Sequence, residues 1–91
     1  MKLEGTFQDT SSATSGFTVH LGLNPYLSTA NIYAPITVGQ GTVSKLLVMN
    51  LNEWFRNPYT YHFTVDGAAT MNDTSAMRKI AGNGTDVFTL Q

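Results

Sequence analysis

The stretch from Ser44 to Val65, SKLLVMNLNEWFRNPYTYHFTV, constrains the fold more than any other part of the chain. It contains a continuous apolar run, the only tryptophan, a proline and then a strictly alternating segment. It also holds five of the ten aromatic side chains. Because a buried aromatic side chain removes roughly 150–250 Å² from water, we expect this stretch to supply most of the core.

The apolar run Leu46–Met49 fits either a strand buried on both faces or a segment of buried helix. A helical stripe that includes Leu47, Leu51 and Trp54 keeps the helix alternative open. We favour a strand over Val43–Leu51, because its valines are restricted at χ1 and favour extended backbone.

A short helical turn over Glu53–Arg56 is expected next, and Asn57-Pro58 ends it, since the residue before proline avoids the helical region. Beyond this point apolar and polar residues alternate without a break, which predicts a strand over Pro58–Val65 with one buried face. Its apolar face consists of Tyr59, Tyr61, Phe63 and Val65.

The remaining segments predict four more strands and one helix. The strands are expected over Lys2–Gln8, Gly16–Leu23, Ile32–Val38 and Asp86–Leu90. Pro35 places the third of these at a sheet edge or a bulge, because proline cannot donate to the ladder. A helix is expected over Asn72–Ala81, capped by Asn72 or Asp73 and ended by Gly82. The sequence therefore predicts a mainly β fold, an antiparallel β-sandwich or half of one, with one short helix near the C-terminus.

Length and composition exclude several classes of protein. Ninety-one residues predict a single domain, residues 1–91. Five Lys and Arg against six Asp and Glu argue against a nucleic-acid interface, which needs clustered cations. The absence of cysteine excludes disulfides and thiolate metal sites. No segment reaches the ~20 apolar residues of a membrane span, and Lys2–Gly5 does not open a signal peptide.

Two histidines are the candidate metal ligands. His20 and His62 both fall on the polar faces of predicted strands, and they converge if those strands are neighbours. Histidine pairs suit copper or zinc, and a nearby Met49, Met71 or Met77 would favour Cu(I). The separation of the histidines matches no known ligand spacing, so two unrelated surface histidines are the competing interpretation.

Other chemistry finds little support in the sequence. No G-x-S-x-G elbow and no spaced carboxylate pair is present, and Gly39-Gln40-Gly41 precedes a strand rather than a phosphate-binding helix. We therefore expect no enzyme activity. Trp54, Tyr59 and Tyr61 form either a platform for a sugar or part of the core, and the core is favoured, because so short a chain needs its aromatics inside.

Five segments occur in an order that resembles a known family. They are KLEGTF (Lys2–Phe7), FTVHLG (Phe17–Gly22), MNLNEWFRNP (Met49–Pro58), a methionine-containing segment and AMRKIAGNGTDVF (Ala76–Phe88). Together they resemble the C-terminal half of MbnP-like domains, which are extracytoplasmic bacterial β-sandwich proteins, some implicated in handling copper or copper-chelating peptides.

The resemblance implies an immunoglobulin-like sandwich, an extracytoplasmic location in the periplasm or at the cell surface, and no catalysis. By its match to the FTVHLG motif it makes His20 the better candidate ligand. His62 falls in a matching stretch to which the resemblance assigns no role, and it stays the second candidate from the residues alone. The chain is then expected to be part of a larger domain, or to complete its sheet with another chain or copy through an open strand edge.

Two functions from different classes follow. The first is a non-enzymatic extracytoplasmic binding module for copper or a copper chelate. The alternative is a structural or assembly subunit of a surface or virion complex, which would act through its strand edges.

Overall fold

The computed structural model describes residues 1–91 and contains two antiparallel two-stranded sheets and two helices. In chain order the elements are β1 (Lys2–Gln8), β2 (Thr14–His20), β3 (Leu47–Met49), α1 (Phe63–Asp66), α2 (Thr74–Asn83) and β4 (Phe88–Leu90). Short 3₁₀ turns cover Asn24–Tyr26 and Leu51–Phe55. None of the helices has the length and hydrophobicity that crossing a lipid bilayer requires.

The N-terminal hairpin forms as its alternating sequence predicts. β1 pairs with β2 from Lys2 opposite His20 to Gln8 opposite Thr14. The Asp9 carboxylate closes the loop, since it accepts hydrogen bonds from the hydroxyl and backbone N–H of Ser11 at 2.6 and 2.8 Å. The Ser11 hydroxyl bond is the largest of the causes that hold the pKa of Asp9 below its usual value. β2 begins and ends two to three residues before the predicted bounds.

A third extended segment runs alongside β2. The backbone N–H of Thr18 donates to Ala68 O at 2.7 Å, and the N–H of Thr70 donates to Thr18 O at 3.1 Å. These two bonds form a parallel bridge between Thr18 and Ala69. The hairpin is thereby joined to the chain that leads into α2.

Helix α2 confirms the one predicted helix, with both ends shifted by two residues. The Asp73 side chain caps it by accepting from the N–H of Ala76 at 3.0 Å. Its buried face carries Ala76, Met77 and Ile80. The helix continues past Gly82 to Asn83 because the Asn83 side chain is fully buried and bonded to another part of the chain.

Asn83 joins α2 to the turn that carries the tryptophan. Its Nδ2 donates to Trp54 O at 2.9 Å and to Tyr59 O at 2.7 Å, and its Oδ1 accepts from the N–H of Tyr59 at 2.8 Å. Both N–H donors and the carbonyl oxygen of this buried amide are therefore bonded, which offsets the usual penalty for burying it.

The core lies between the hairpin, the Trp54 turn and α2. Its nine buried apolar residues are Val19, Leu21, Tyr26, Trp54, Tyr61, Ala76, Met77, Ile80 and Val87. An aromatic cluster lies beside it, where the Phe63 ring stacks on Phe17 with centroids 4.5 Å apart and approaches Phe7 at 5.0 Å and Phe55 at 5.1 Å.

The predicted strand over Pro58–Val65 is wrong. The backbone is irregular to His62 and then forms the single helical turn α1. The Asp66 carboxylate accepts from the N–H of His62 at 2.8 Å and pairs with Lys79, and this local bonding favours a turn over an extended ladder. Phe63 still reaches the interior, but from a helical turn.

Two further strand predictions need correction. Ile32–Val38 contains no strand, and within Val43–Leu51 the strand is limited to Leu47–Met49, with ladder bonds from Leu46 and Asn50 at its two ends. The alternative of one long helix over this region is not formed either, because β3 is followed by the Leu51–Phe55 turn. Every residue from 31 to 47 is exposed, so the apolar pattern of these segments meets no partner surface within the chain.

Four strands in two separate sheets give a small mixed α/β fold. The antiparallel pairing and the helix near the C-terminus agree with the predicted pattern. An immunoglobulin-like sandwich has at least about seven strands in two packed sheets, and the four strands present do not supply them.

Candidate functional site

His20, the last residue of β2, lines an open pocket of about 240 Å³. The other lining residues come from the loop after β2, from the extended segment beside it and from α2. They are Gly22, Leu23, Met71, Asn72 and Met77. The pocket therefore lies where three parts of the chain meet.

Thr70 fixes the backbone of His20. Its Oγ1 accepts from the N–H of His20 at 2.7 Å and donates to His20 O at 3.0 Å, while its side chain is fully buried. A hydroxyl that both accepts and donates to one residue holds that residue in place. Since Met71 follows Thr70 directly, the same contact keeps the backbone of Met71 close to His20, and both residues line the pocket.

The two methionines approach the pocket from different directions. Met77 belongs to α2 and is almost completely buried, whereas Met71 is 60% exposed and accessible to a ligand. Asn72, between them, has a φ of 66°. Asparagine tolerates this left-handed conformation better than most residues, and it turns the chain sharply into the start of α2.

The donors around this pocket are an imidazole and two thioethers. None of its lining residues is an acid or a cation. No group of three or more His, Asp or Glu side chains elsewhere in the chain lies close enough together to hold a metal ion. Neutral soft donors of this kind suit Cu(I), whereas carboxylate and carbonyl oxygens suit Mg²⁺, Ca²⁺ and Mn²⁺.

His62 lies in a different part of the molecule. It is exposed at the start of α1 and lines a pocket with Gln8 and Asp9. Gln8 is at the far end of the hairpin from His20, which pairs with Lys2. Six residue steps along a strand span about 20 Å. The structure therefore does not bring the two predicted histidines together, and the predicted strand that would have made them neighbours is absent.

The hydrogen bonds that His62 makes use its backbone N–H and C=O groups and not its imidazole. Its N–H donates to Asp66, and this bond is the largest cause that holds the pKa of the Asp66 carboxyl below its usual value, followed by the bond from Lys79. Asp9 shares the pocket with His62 but is already bonded within its own loop. The residues around His62 therefore do not form a second group of metal ligands.

The aromatic residues divide between core and surface. Trp54 and Tyr61 are both buried, which confirms the interpretation of these two as core, while Tyr59 is exposed. The Tyr61 hydroxyl donates to Gly67 O at 2.6 Å. Burial, with smaller contributions from the charges of Asp66 and Asp73, raises the pKa of Tyr61 to about 12.

Sequence reasoning named three methionines as possible partners of a histidine, and the structure selects two of them. Met49 lies in β3 and does not line the His20 pocket. Thr70, which positions His20, was not singled out, and a threonine in a polar segment carries no mark of its burial.

Comparison of the chain with protein-family models, with curated proteins and with solved structures finds no match in any of the three. The relationship to MbnP-like domains therefore stays a prediction from the short motifs alone.

Proposed function

We propose that the chain is a non-enzymatic binding module that holds copper as Cu(I) between His20, Met71 and Met77. The observation that supports this is that His20, Met71 and Met77, which carry one imidazole and two thioethers, line a single open pocket. These three donors come from separate segments, and Thr70 holds two of those segments together.

The donor types favour Cu(I) over the other common metals. Zinc sites in proteins use thiolate, imidazole and carboxylate ligands, and this pocket offers only one of these. Cu(II) prefers a tetragonal set of nitrogen and oxygen donors, while thioethers select Cu(I). The chain could bind copper as a free ion or as a complex with a small chelator. The second case is compatible with the structure, since the pocket is open and Met71 is exposed enough to contact a bulky molecule.

The resemblance to MbnP-like domains supports the location and the wider architecture of this module. We place it outside the cytoplasm, in the periplasm or at the cell surface, where such domains occur. The immunoglobulin-like sandwich belongs to the same proposal, with the missing strands supplied by additional chain.

A competition titration against a chromogenic Cu(I) chelator tests the copper site under anaerobic conditions. The wild-type chain is expected to take up one equivalent. His20→Ala removes the imidazole and is expected to weaken the site at least tenfold, because even the loss of an outer-shell partner costs about 10- to 100-fold in metal affinity.

His62→Ala is the matched control, since it removes the other histidine and is expected to leave the affinity unchanged. Met77→Leu keeps the buried volume nearly constant while it removes the sulfur, so it separates lost coordination from lost packing. Equal losses for both histidine variants, or an unchanged affinity in His20→Ala, would contradict the proposal. Binding of Zn²⁺ with equal or greater strength would contradict its choice of metal.

A further inference from the structure

Residues 31–45, here called the arm, make no hydrogen bond with the rest of the chain. No backbone or side-chain bond joins any of them to another residue, and all of them are exposed. A Cβ added at Gly39 or Gly41 would meet nothing within 4 Å. The arm is nevertheless rich in apolar side chains, and Tyr33 is 92% exposed.

The molecule exposes more surface than a compact chain of its size. Its accessible surface is 6489 Å² for 9.9 kDa, where a compact monomer exposes about 5,200 Å². Its radius of gyration is 16.3 Å, where about 12 Å is typical of its length. The excess of about 1,300 Å² exceeds the roughly 800 Å² that each partner contributes to a standard interface.

The arm has the pattern of a strand with one apolar face. Ile32, Ala34, Ile36 and Val38 share one face because strand side chains alternate. The same alternation directs the N–H and C=O groups of these even-numbered residues toward one edge. Pro35 belongs to the other edge, where it leaves a gap in the donors.

The small β3–β4 sheet has an edge with unpaired backbone groups at alternate residues, as the arm would have in an extended conformation. Leu46 and Gln91 exchange both of their backbone bonds at 2.9 and 2.8 Å, and the N–H of Asn50 donates to Val87 O. Along an antiparallel strand the backbone N–H and C=O groups of successive residues point to opposite edges. Those of Leu46 and Asn50 point toward β4, so those of Leu47 and Met49 point away from it. Both side chains are exposed as well.

We propose that two copies of this chain pair by exchanging arms, so that Ile32–Val38 of each copy adds a strand to the free edge of β3 in the other. Each copy carries one arm and one free β3 edge, so a two-fold arrangement uses both of them and closes at the dimer. The pairing is independent of the copper pocket, which none of these residues lines.

A second copy is favoured over an unrelated partner by the charge of the surfaces. From Thr10 to Ser44 the chain has no Asp, Glu, Lys or Arg. The arm therefore carries no charge on its apolar face that would select a differently charged protein. The β3 edge that it would cover consists of Leu47 and Met49, which are also uncharged, and a second copy supplies both parts. The edge of the arm that contains Pro35 faces outward after pairing, and its missing donor opposes the addition of further strands.

Sedimentation velocity over a wide range of concentrations tests the proposal, and the wild-type chain is expected to move from monomer to dimer. Ile36→Lys places a charge on the apolar face of the arm and is expected to weaken the dimer at least tenfold. Thr37→Lys adds the same charge one residue away, on the opposite face, and is expected to leave association unchanged. Both positions are exposed in the monomer, so neither variant should disturb its folding.

Amide hydrogen exchange then identifies the paired edge. In the dimer the N–H groups of two successive members of the set Ile32, Ala34, Ile36 and Val38 are expected to be protected, because the β3 edge offers only Leu47 and Met49 for pairing. The N–H groups of Tyr33 and Thr37 are expected to exchange quickly. A chain that stays monomeric at every concentration would overturn the proposal, as would assemblies that grow beyond the dimer. So would equal effects of the two lysine variants, or an arm that is protected within the monomer.

Discussion

The arm and the body of the molecule contain similar apolar side chains in opposite surroundings. Ile80 of α2 is completely buried, whereas Ile36 of the arm is 49% exposed. The segment around Ile80 has a capping aspartate at one end and a bonded asparagine at the other. The arm has neither, and it has no charged residue before Lys45. The apolar pattern around Ile80 thus lies in a segment whose ends are fixed by polar side chains, and the apolar pattern of the arm does not.

The first prediction makes the same substitution in both regions. Ile80→Ala is expected to lower the free energy of unfolding by about 2–5 kcal/mol, because it leaves a cavity in the core. Ile36→Ala is expected to change it by no more than about 0.5 kcal/mol in the monomer. Urea unfolding of dilute protein measures both. Similar losses for the two variants would mean that the arm packs on the body in solution.

The second prediction compares two glycines. At Gly84 an added Cβ would lie 2.6 Å from Trp54 Cζ3 and would also collide with Ser28, whose hydroxyl bonds to Ala81 O. Gly84→Ala is therefore expected to cost about 1–3 kcal/mol through overpacking. Gly39→Ala in the arm has open space and is expected to be neutral or slightly stabilising. Thermal unfolding of the two variants tests this, and a neutral Gly84→Ala would show that the contact is not tight.

These expectations show which parts of the fold the sequence predicts. The hairpin and α2 follow from local patterns, since alternation fixes β1 and β2 and the Asp73 cap fixes the start of the helix. The strand expected over Pro58–Val65 does not form, because Asp66 bonds back to His62 and alternation carries no information about that bond.

The candidate site was predictable in its residue types but not in its assembly. His20 and Thr70 are fifty residues apart in sequence, and their mutual bonds depend on the parallel bridge at Thr18 and Ala69. No spacing rule encodes such a contact. The pairing of His20 with His62 depended on a strand that does not form, whereas the choice of methionine as a partner depended only on ligand chemistry.

The smallest expected effect is the acid dependence of stability. The pKa of Asp66 is lowered in the folded chain, so its contribution is present above about pH 4, the unfolded value, and is lost as the pH falls through the folded pKa. Asp66→Asn is expected to make stability less dependent on pH in this acid range. The control Asp86→Asn removes an equal charge from a side chain that makes no hydrogen bond. Denaturant midpoints at several acid pH values measure both, and equal slopes for the two variants would contradict the role of Asp66.

The proposed copper site is tested most directly by NMR of the methionine methyl groups during addition of Cu(I). The chain has four methionines, and only Met71 and Met77 line the His20 pocket, so Met49 is an internal control. We predict that the methyl signals of Met71 and Met77 and the ring signals of His20 shift together and saturate at one equivalent, while Met49 and His62 stay unchanged. Shifts at Met49 or His62 with none at Met71 and Met77 would contradict the proposed site.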